Sequence, residues 1–235
     1  MKPSSFRRKK ITSHFPPQKK MPLLKLLLTS LMLLIIHQTS ITSSPLDLTQ
    51  GFTPISLDNS NFVVQKPYNI PINQRYIFTN GVHQFWIYPS DKPFTNETNT
   101  QPRTEIRISG HDYTCGIWQF EGYGCIPSGT TGVCIMQVFG GSPYATTTQL
   151  RIYNGSLTYY ESPVLSQNMY DRWFKVNVIH DVGANNVKVY VDGDLTYDGV
   201  GRGANTHYFK FGVYLQNDPS SCAESWWKDI KVLRK

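Results

Sequence analysis

The sequence predicts an all-β protein built as a two-sheet antiparallel sandwich or jelly roll. Three observations lead there. Beyond residue 44 no apolar pattern of helical period runs for a useful length. Short runs rich in β-branched and aromatic residues recur between turn residues instead. Their number and even spacing suit two packed sheets.

The runs predict strands at 62–66, 75–78, 82–88, 104–109, 117–123, 133–139, 149–153, 157–161, 173–180, 187–191, 195–198, 208–216 and 225–233. Asn154-Gly155 and Asp192-Gly193 each separate two alternating runs, as a tight hairpin turn requires. The Pro- and Asn-rich stretch 89–102 reads as one long surface loop. No internal repeat is visible.

Residues 1–44 have the make-up of a secretory signal peptide. A basic region, 1–20, precedes a leucine-rich run, 23–36, broken by Lys25, and a small polar stretch follows at 39–44. The part after Lys25, 26–36, is eleven residues, short of the ~20 that span a bilayer. A signal anchor and initiation at Met21 are the alternatives; the expected cleavage is near Ser43 and Ser44. The whole chain carries 23 Lys+Arg, 16 Asp+Glu and a net charge of +7, yet eight of the basic residues and none of the acidic ones precede residue 45. Residues 45–235 therefore carry a net charge of −1, which removes the electrostatic case for a nucleic-acid partner. They form one domain, expected to be a monomer in the secretory pathway, in the vacuole or at the cell wall outside the cell.

Four cysteines stand in that domain: Cys115, Cys125, Cys134 and Cys222. In an oxidising compartment they allow two disulfides in three connectivities. No C-x-x-C spacing is present, so no structural zinc is expected, and no cofactor either. Cys115 and Cys125 flank an extended run that would hold them up to ~33 Å apart, against the ~4.4–6.8 Å a bridge allows. Alternation turns Cys134 toward the core. At most one bridge is expected, with no pairing assigned. Asn96-Glu97-Thr98 and Asn154-Gly155-Ser156 are candidate glycosylation acceptors in the same compartment.

Alternate residues of a strand share a face. Arg103, Glu105 and Arg107 share one, against Thr104 and Ile106. Tyr208, Lys210, Tyr214 and Gln216 share another, against the apolar Phe209, Phe211, Val213 and Leu215. Gln137 and Phe139 form a third. As neighbours these strands would line a single groove rich in Arg, Lys, Tyr and Gln, and the gap at Gly212 marks the close approach of a ligand or of another backbone. Taken singly, each polar face also fits a solvated surface or a cross-strand ladder of charges. The histidines are scattered, with His180 and His207 at strand ends.

Three blocks, Arg103 to Arg107, Gln137 to Phe139 and Tyr208 to Asn217, resemble the signatures of the alginate-lyase jelly-roll family, and the likeness covers nearly all of the chain after the leader. It implies a concanavalin-like β-jelly roll with a concave ligand groove. Gly51-Phe52-Thr53, Trp118 to Gly124 and Tyr170 to Phe174 are similar to the plant citrate-binding branch of that family, which is linked to the vacuole. Arg103, Glu105, Arg107, Gln137, Tyr208, Lys210, Tyr214 and Gln216 are the implied ligand-binding residues. In a lyase, Arg103, Arg107 and Gln137 would match the positions that neutralise a uronate carboxylate, with Arg103, Gln137 and Tyr214 as the catalytic set and Tyr214 as its tyrosine. One position departs: where the lyase block has the histidine that serves as base, this chain has Phe139. β-Elimination needs a neutralised carboxylate, a base and an acid, and phenylalanine takes no proton. The leading expectation is therefore non-catalytic binding of a small polycarboxylate such as citrate, or of an acidic polysaccharide. A polysaccharide lyase using Tyr214 as both acid and base is the alternative. A lectin-like component stacking neutral sugar on Tyr153, Tyr159 or Tyr160 is the third reading.

Sequencing the N-terminus of the secreted or vacuolar protein should find it between Thr39 and Asp47. Intact membrane-integral protein beginning at Met1 would contradict the signal-peptide reading.

Overall fold

The computed structural model describes residues 47–203 and 205–235; the expected signal peptide and the expected cleavage near Ser43 and Ser44 lie outside the described residues. The described residues form fifteen strands: β1 (Thr53–Ile55), β2 (Phe62–Gln65), β3 (Tyr76–Thr79), β4 (Val82–Ile87), β5 (Arg103–Ile108), β6 (Ile117–Cys125), β7 (Val133–Phe139), β8 (Thr146–Tyr153), β9 (Ser156–Tyr159), β10 (Val164–Ser166), β11 (Trp173–Asp181), β12 (Asn186–Val191), β13 (Asp194–Val200), β14 (Tyr208–Leu215) and β15 (Ala223–Arg234). They make two antiparallel sheets. One runs β13-β12-β11-β6-β15-β4-β3, with β1 added along β15; the other runs β10-β9-β8-β7-β14-β5-β2. The jelly-roll sandwich expected from the sequence is the fold observed.

The core lies between the sheets and is aromatic at its centre. Phe211 of β14 packs edge-on against Phe85 of β4 at 5.7 Å and meets Phe120 of β6 at 6.0 Å and Trp227 of β15 at 5.8 Å. All four rings are fully buried, and rings in such offset and edge contacts add to what their burial alone contributes. Around them, Val176 and Val178 of β11, Val187 and Val189 of β12, and Leu150 and Ile152 of β8 are also fully buried. Alternation along these strands turns one face inward and leaves the other polar.

Thirteen of the fifteen strands are marked by the runs read from the sequence. β1 and β10 are three residues each, too short to show an alternating pattern. Both predicted hairpin turns form. Asn154 and Gly155 take φ values of 49° and 75°, and Asp192 and Gly193 of 53° and 95°, the pair of positive angles this turn demands. Asn80-Gly81, a third dipeptide of the same kind, joins β3 to β4 with the same geometry. The loop between Ile87 and Arg103 carries no strand.

One expectation needs correction. Cys134 does not face the core. The register of β7 slips between Cys134 and Met136 against both neighbours, and this bulge turns Ile135 into the core and sets Cys134 opposite Tyr214 and Arg151 on the outer face. It stays buried there, and burial pushes its thiol up to about 12. His180 and His207, at strand ends, are buried in the interior, where Tyr113 Oη lies 3.0 Å from His180 Nδ1 and the two imidazoles sit 4.6 Å apart. All four cysteines are unbridged.

The gap at Gly212 is filled by another backbone. Gly212 stands opposite Glu105 at φ 139°, and a Cβ there would lie 2.5 Å from the Thr104 carbonyl oxygen and 2.6 Å from Glu105 Cα. Gly212→Ala should destabilise the domain by more than about 1 kcal/mol and lower its melting midpoint by several degrees. Thermal unfolding followed by near-ultraviolet circular dichroism would measure this.

Candidate functional site

Cross-strand register assembles the site. On β14, Tyr214 pairs with Arg103, Gly212 with Glu105 and Lys210 with Arg107 of β5. From the other side, Lys210 pairs with Gln137 and Tyr208 with Phe139 of β7. All these side chains except the glycine's project from the outer face of the seven-stranded sheet, opposite Phe209, Phe211 and Val213. The space a Cβ at 212 would take is filled by the Thr104 carbonyl oxygen and by the Cα and Cβ of Glu105.

Glu105 is the hub. It accepts hydrogen bonds from Lys210 Nζ at 2.5 Å, Gln137 Nε2 at 2.6 Å and Arg103 Nη1 at 3.2 Å. Glu105 and Lys210 are each 2% exposed and Gln137 1%. Burial draws the Lys210 ammonium below its usual range, and the facing Glu105 carboxylate works against that. Aromatic rings complete the floor. The Arg103 guanidinium lies 3.9 Å from the centre of the Tyr214 ring. Phe139 stacks on Tyr208 at 4.8 Å, and Lys210 Nζ lies 5.7 Å from the Phe139 ring. Cations over ring faces are attracted to the negative side of the ring.

Above this floor is a groove of about 480 Å³. Arg103, Gln137, Phe139, Tyr208, Lys210 and Tyr214 line it, joined by Gln65 of β2, Thr146 and Gln149 of β8, and Phe94, Thr95, Thr98 and Thr100 from the loop before β5. No acidic side chain is among the lining residues. Two cations share the one carboxylate beneath, so the floor carries one positive charge in excess. Arg103 Nε is buried there without a hydrogen-bond partner.

The remaining sequence-predicted residues lie apart from the lining. Arg107 is committed to an ion pair with Asp112 and to the Tyr208 ring, 3.9 Å from its centre, so it braces the wall instead of facing the groove. The Gln216 amide donates to the Tyr214 and Leu215 carbonyls at 3.2 and 2.8 Å. Gln149 was missed, although Gln149, Arg151 and Tyr153 alternate with buried Leu150 and Ile152 in the same way as the three faces that were read. The loop residues Phe94 to Thr100 carry no periodic signal that could have placed them.

Among the described residues, no imidazole lines the groove where elimination chemistry would want one. His83, His180 and His207 are buried in the sandwich, and burial pulls His83 and His180 down to about 4. His207 meets the groove wall only from behind, 3.3 Å from the Phe139 carbonyl oxygen. The phenols that reach the groove hold their protons: burial raises Tyr214 and Tyr208, with Arg103 and Arg107 respectively opposing it, which keeps the proton-accepting phenolate scarce.

A two-sheet jelly roll with a cationic, aromatic groove across one sheet defines a groove-binding β-sandwich. The chain belongs to the alginate lyase family, whose match spans residues 55–234. It is 49% identical over 189 residues to a citrate-binding protein of Hevea brasiliensis, covering 80% of this chain and 79% of that protein. An alginate lyase from Pseudomonas aeruginosa shares the fold with a TM-score of 0.57 at 17% identity, over 76% of this chain and 100% of that one. A family 7 alginate lyase variant solved in complex with substrate gives a TM-score of 0.60 at 15% identity, over 75% and 94% of the two chains.

The hub makes a thermodynamic prediction. Removing one partner of a buried pair strands the other charge, at a cost of about 3–5 kcal/mol. Glu105→Gln and Lys210→Met should each cost at least about 3 kcal/mol in guanidinium unfolding. The double variant should lose clearly less than the two together, because no charge is then left stranded.

Proposed function

We propose that this protein binds a small polycarboxylate, with citrate as the foremost candidate, in the groove over Arg103, Gln137 and Lys210, and that it does not catalyse elimination. The observation that carries this reading is the charge arrangement of the floor. Two buried cations share one carboxylate, the lining holds no acid, and Arg103 Nε lacks an acceptor. An incoming carboxylate supplies the missing negative charge and the missing acceptor together, and charge-assisted bonds of this kind are the strong ones. The Hevea relative, named for binding citrate, supports the same ligand class. The expected setting is the secretory pathway, with the vacuole or the cell wall as destination.

Phe139 supports the absence of turnover. It fills the wall position between Lys210 and Tyr208, and no imidazole shares the groove with it. Tyr214 is left to act alone, as a phenol whose proton is held more tightly by burial. A lyase acting on an acidic polysaccharide is the competing reading, because Arg103, Gln137 and Tyr214 do line one groove in a family that contains alginate lyases.

Calorimetry with citrate, and ultraviolet absorbance for unsaturated product from alginate and glucuronan, separate the two. Arg103→Ala should weaken citrate binding about ten- to hundredfold, the worth of one charge-assisted contact, and the wild type should release no unsaturated product. Phe139→His should create slow elimination. Product release by the wild type that Tyr214→Phe abolishes would establish the lyase instead.

A further inference from the structure

A second cavity, of about 470 Å³, lies on the same outer face, at the β8–β9 hairpin. Its lining includes Tyr153, Asn154, Thr158, Glu161, Asn217 and Asp218. It adjoins the groove through Arg151, whose guanidinium donates from Nε to Gln149 at 2.8 Å, on the groove side, and reaches Glu161 at 3.6 Å, on the cavity side. The two spaces thus lie side by side along β8, and a long ligand would have to cross from one to the other.

Their chemistry differs. Glu161 and Asp218 make the second cavity hostile to a carboxylate, so it does not continue the acid-binding groove. Carboxylates, amides and a tyrosine face together suit a neutral ligand rich in hydroxyls: the acids and amides accept and donate, and the ring takes the apolar face of a sugar. Glu161 is already oriented by Asn217 Nδ2 at 2.9 Å. Such a ligand is tethered at the site in waiting. Asn154, itself part of the lining, opens the acceptor triplet Asn154-Gly155-Ser156, and it is exposed at the tip of a hairpin with φ 49°.

We propose that Asn154 carries an N-linked glycan whose first sugars occupy this cavity and close the end of the groove, limiting it to small polycarboxylates. In the modification, the Asn154 amide nitrogen bonds to the anomeric carbon of an oligosaccharide held on a lipid pyrophosphate. The pyrophosphate leaves and the amide gives up one proton. The cavity is then filled by neutral sugar, and an acidic chain longer than the groove has no exit across β8 and β9. The consequence for ligand size rests on the polycarboxylate reading above; the occupancy of Asn154 does not.

The test uses protein secreted from a glycosylating plant host, intact and after enzymatic removal of N-glycans, beside a Ser156→Ala variant that loses the acceptor without altering the turn residue. Peptide mass spectrometry should find the glycan on Asn154. The intact protein should bind citrate and an alginate tetrasaccharide very differently from each other. Deglycosylated and Ser156→Ala protein should gain at least about tenfold in tetrasaccharide affinity, one added contact's worth, with citrate affinity within twofold of the intact form. An unmodified Asn154 would overturn the proposal, as would equal tetrasaccharide affinity in all three proteins or a gain given by Asn96→Gln alone. Failure of citrate to bind any of the three would refute the polycarboxylate reading while leaving the glycan result to stand separately.

Discussion

The buried contact between Glu105 and Lys210 is the constraint on which the groove depends. Two full charges are taken out of water on the outer face of a sheet, where solvation would have cost nothing. A carboxylate and an ammonium removed from water are tolerated only when paired and given further hydrogen bonds. Gln137 and Arg103 provide those bonds. The arrangement also dictates Gly212, because only a residue without a side chain lets the backbone of Thr104 and Glu105 approach β14 this closely. Glycine, acid, lysine, amide and arginine are thus one unit. The rings of Phe139, Tyr208 and Tyr214 wall it off from water.

The unit explains why binding and elimination are close neighbours in chemistry. Both require a site that neutralises a carboxylate, and Arg103, Gln137 and Lys210 supply it whichever follows. Elimination further requires a group that accepts a carbon-bound proton. Such a base works best with a proton affinity near the working pH. The groove offers phenols made weaker as proton donors by burial, and the imidazoles nearest to it are enclosed behind the wall. On the reading proposed above, phenylalanine in place of a histidine leaves the electrostatic half of such a mechanism standing without its proton-transfer half.

Much of this was legible in the sequence, because it rests on alternation. Tyr208, Lys210 and Tyr214 opposite Phe209, Phe211 and Val213 announce one wet and one dry face, and the paired turns fix where strands reverse. Legibility ends where alternation breaks. The bulge at Cys134 and Met136 shifts parity by one, a displacement set by pairing with β14 and β8 and invisible along β7 alone. Arg107 has the same parity as Arg103, yet Asp112 captures it from a loop whose course no periodicity predicts. Glu105 appeared as one more groove residue, since nothing in a single strand says that a lysine 105 positions away will bury it.

Composition alone would not single out this face, and the opposite sheet shows why. There Glu121 of β6, also 2% exposed, accepts from Lys175 Nζ at 2.8 Å, Lys231 Nζ at 2.9 Å and Asn177 Nδ2 at 2.8 Å. This is the same inventory of one acid, two cations and one amide. The difference lies in what surrounds the cations. The Lys175 and Lys231 side chains are 32% and 55% exposed, so water solvates them and little is gained by a further anion. The side chains of Lys210 and Arg103 are 2% and 12% exposed, held against aromatic rings where a second carboxylate meets weaker screening and a stronger field. Burial of the cations, more than their presence, turns a surface charge cluster into a place suited to an acid.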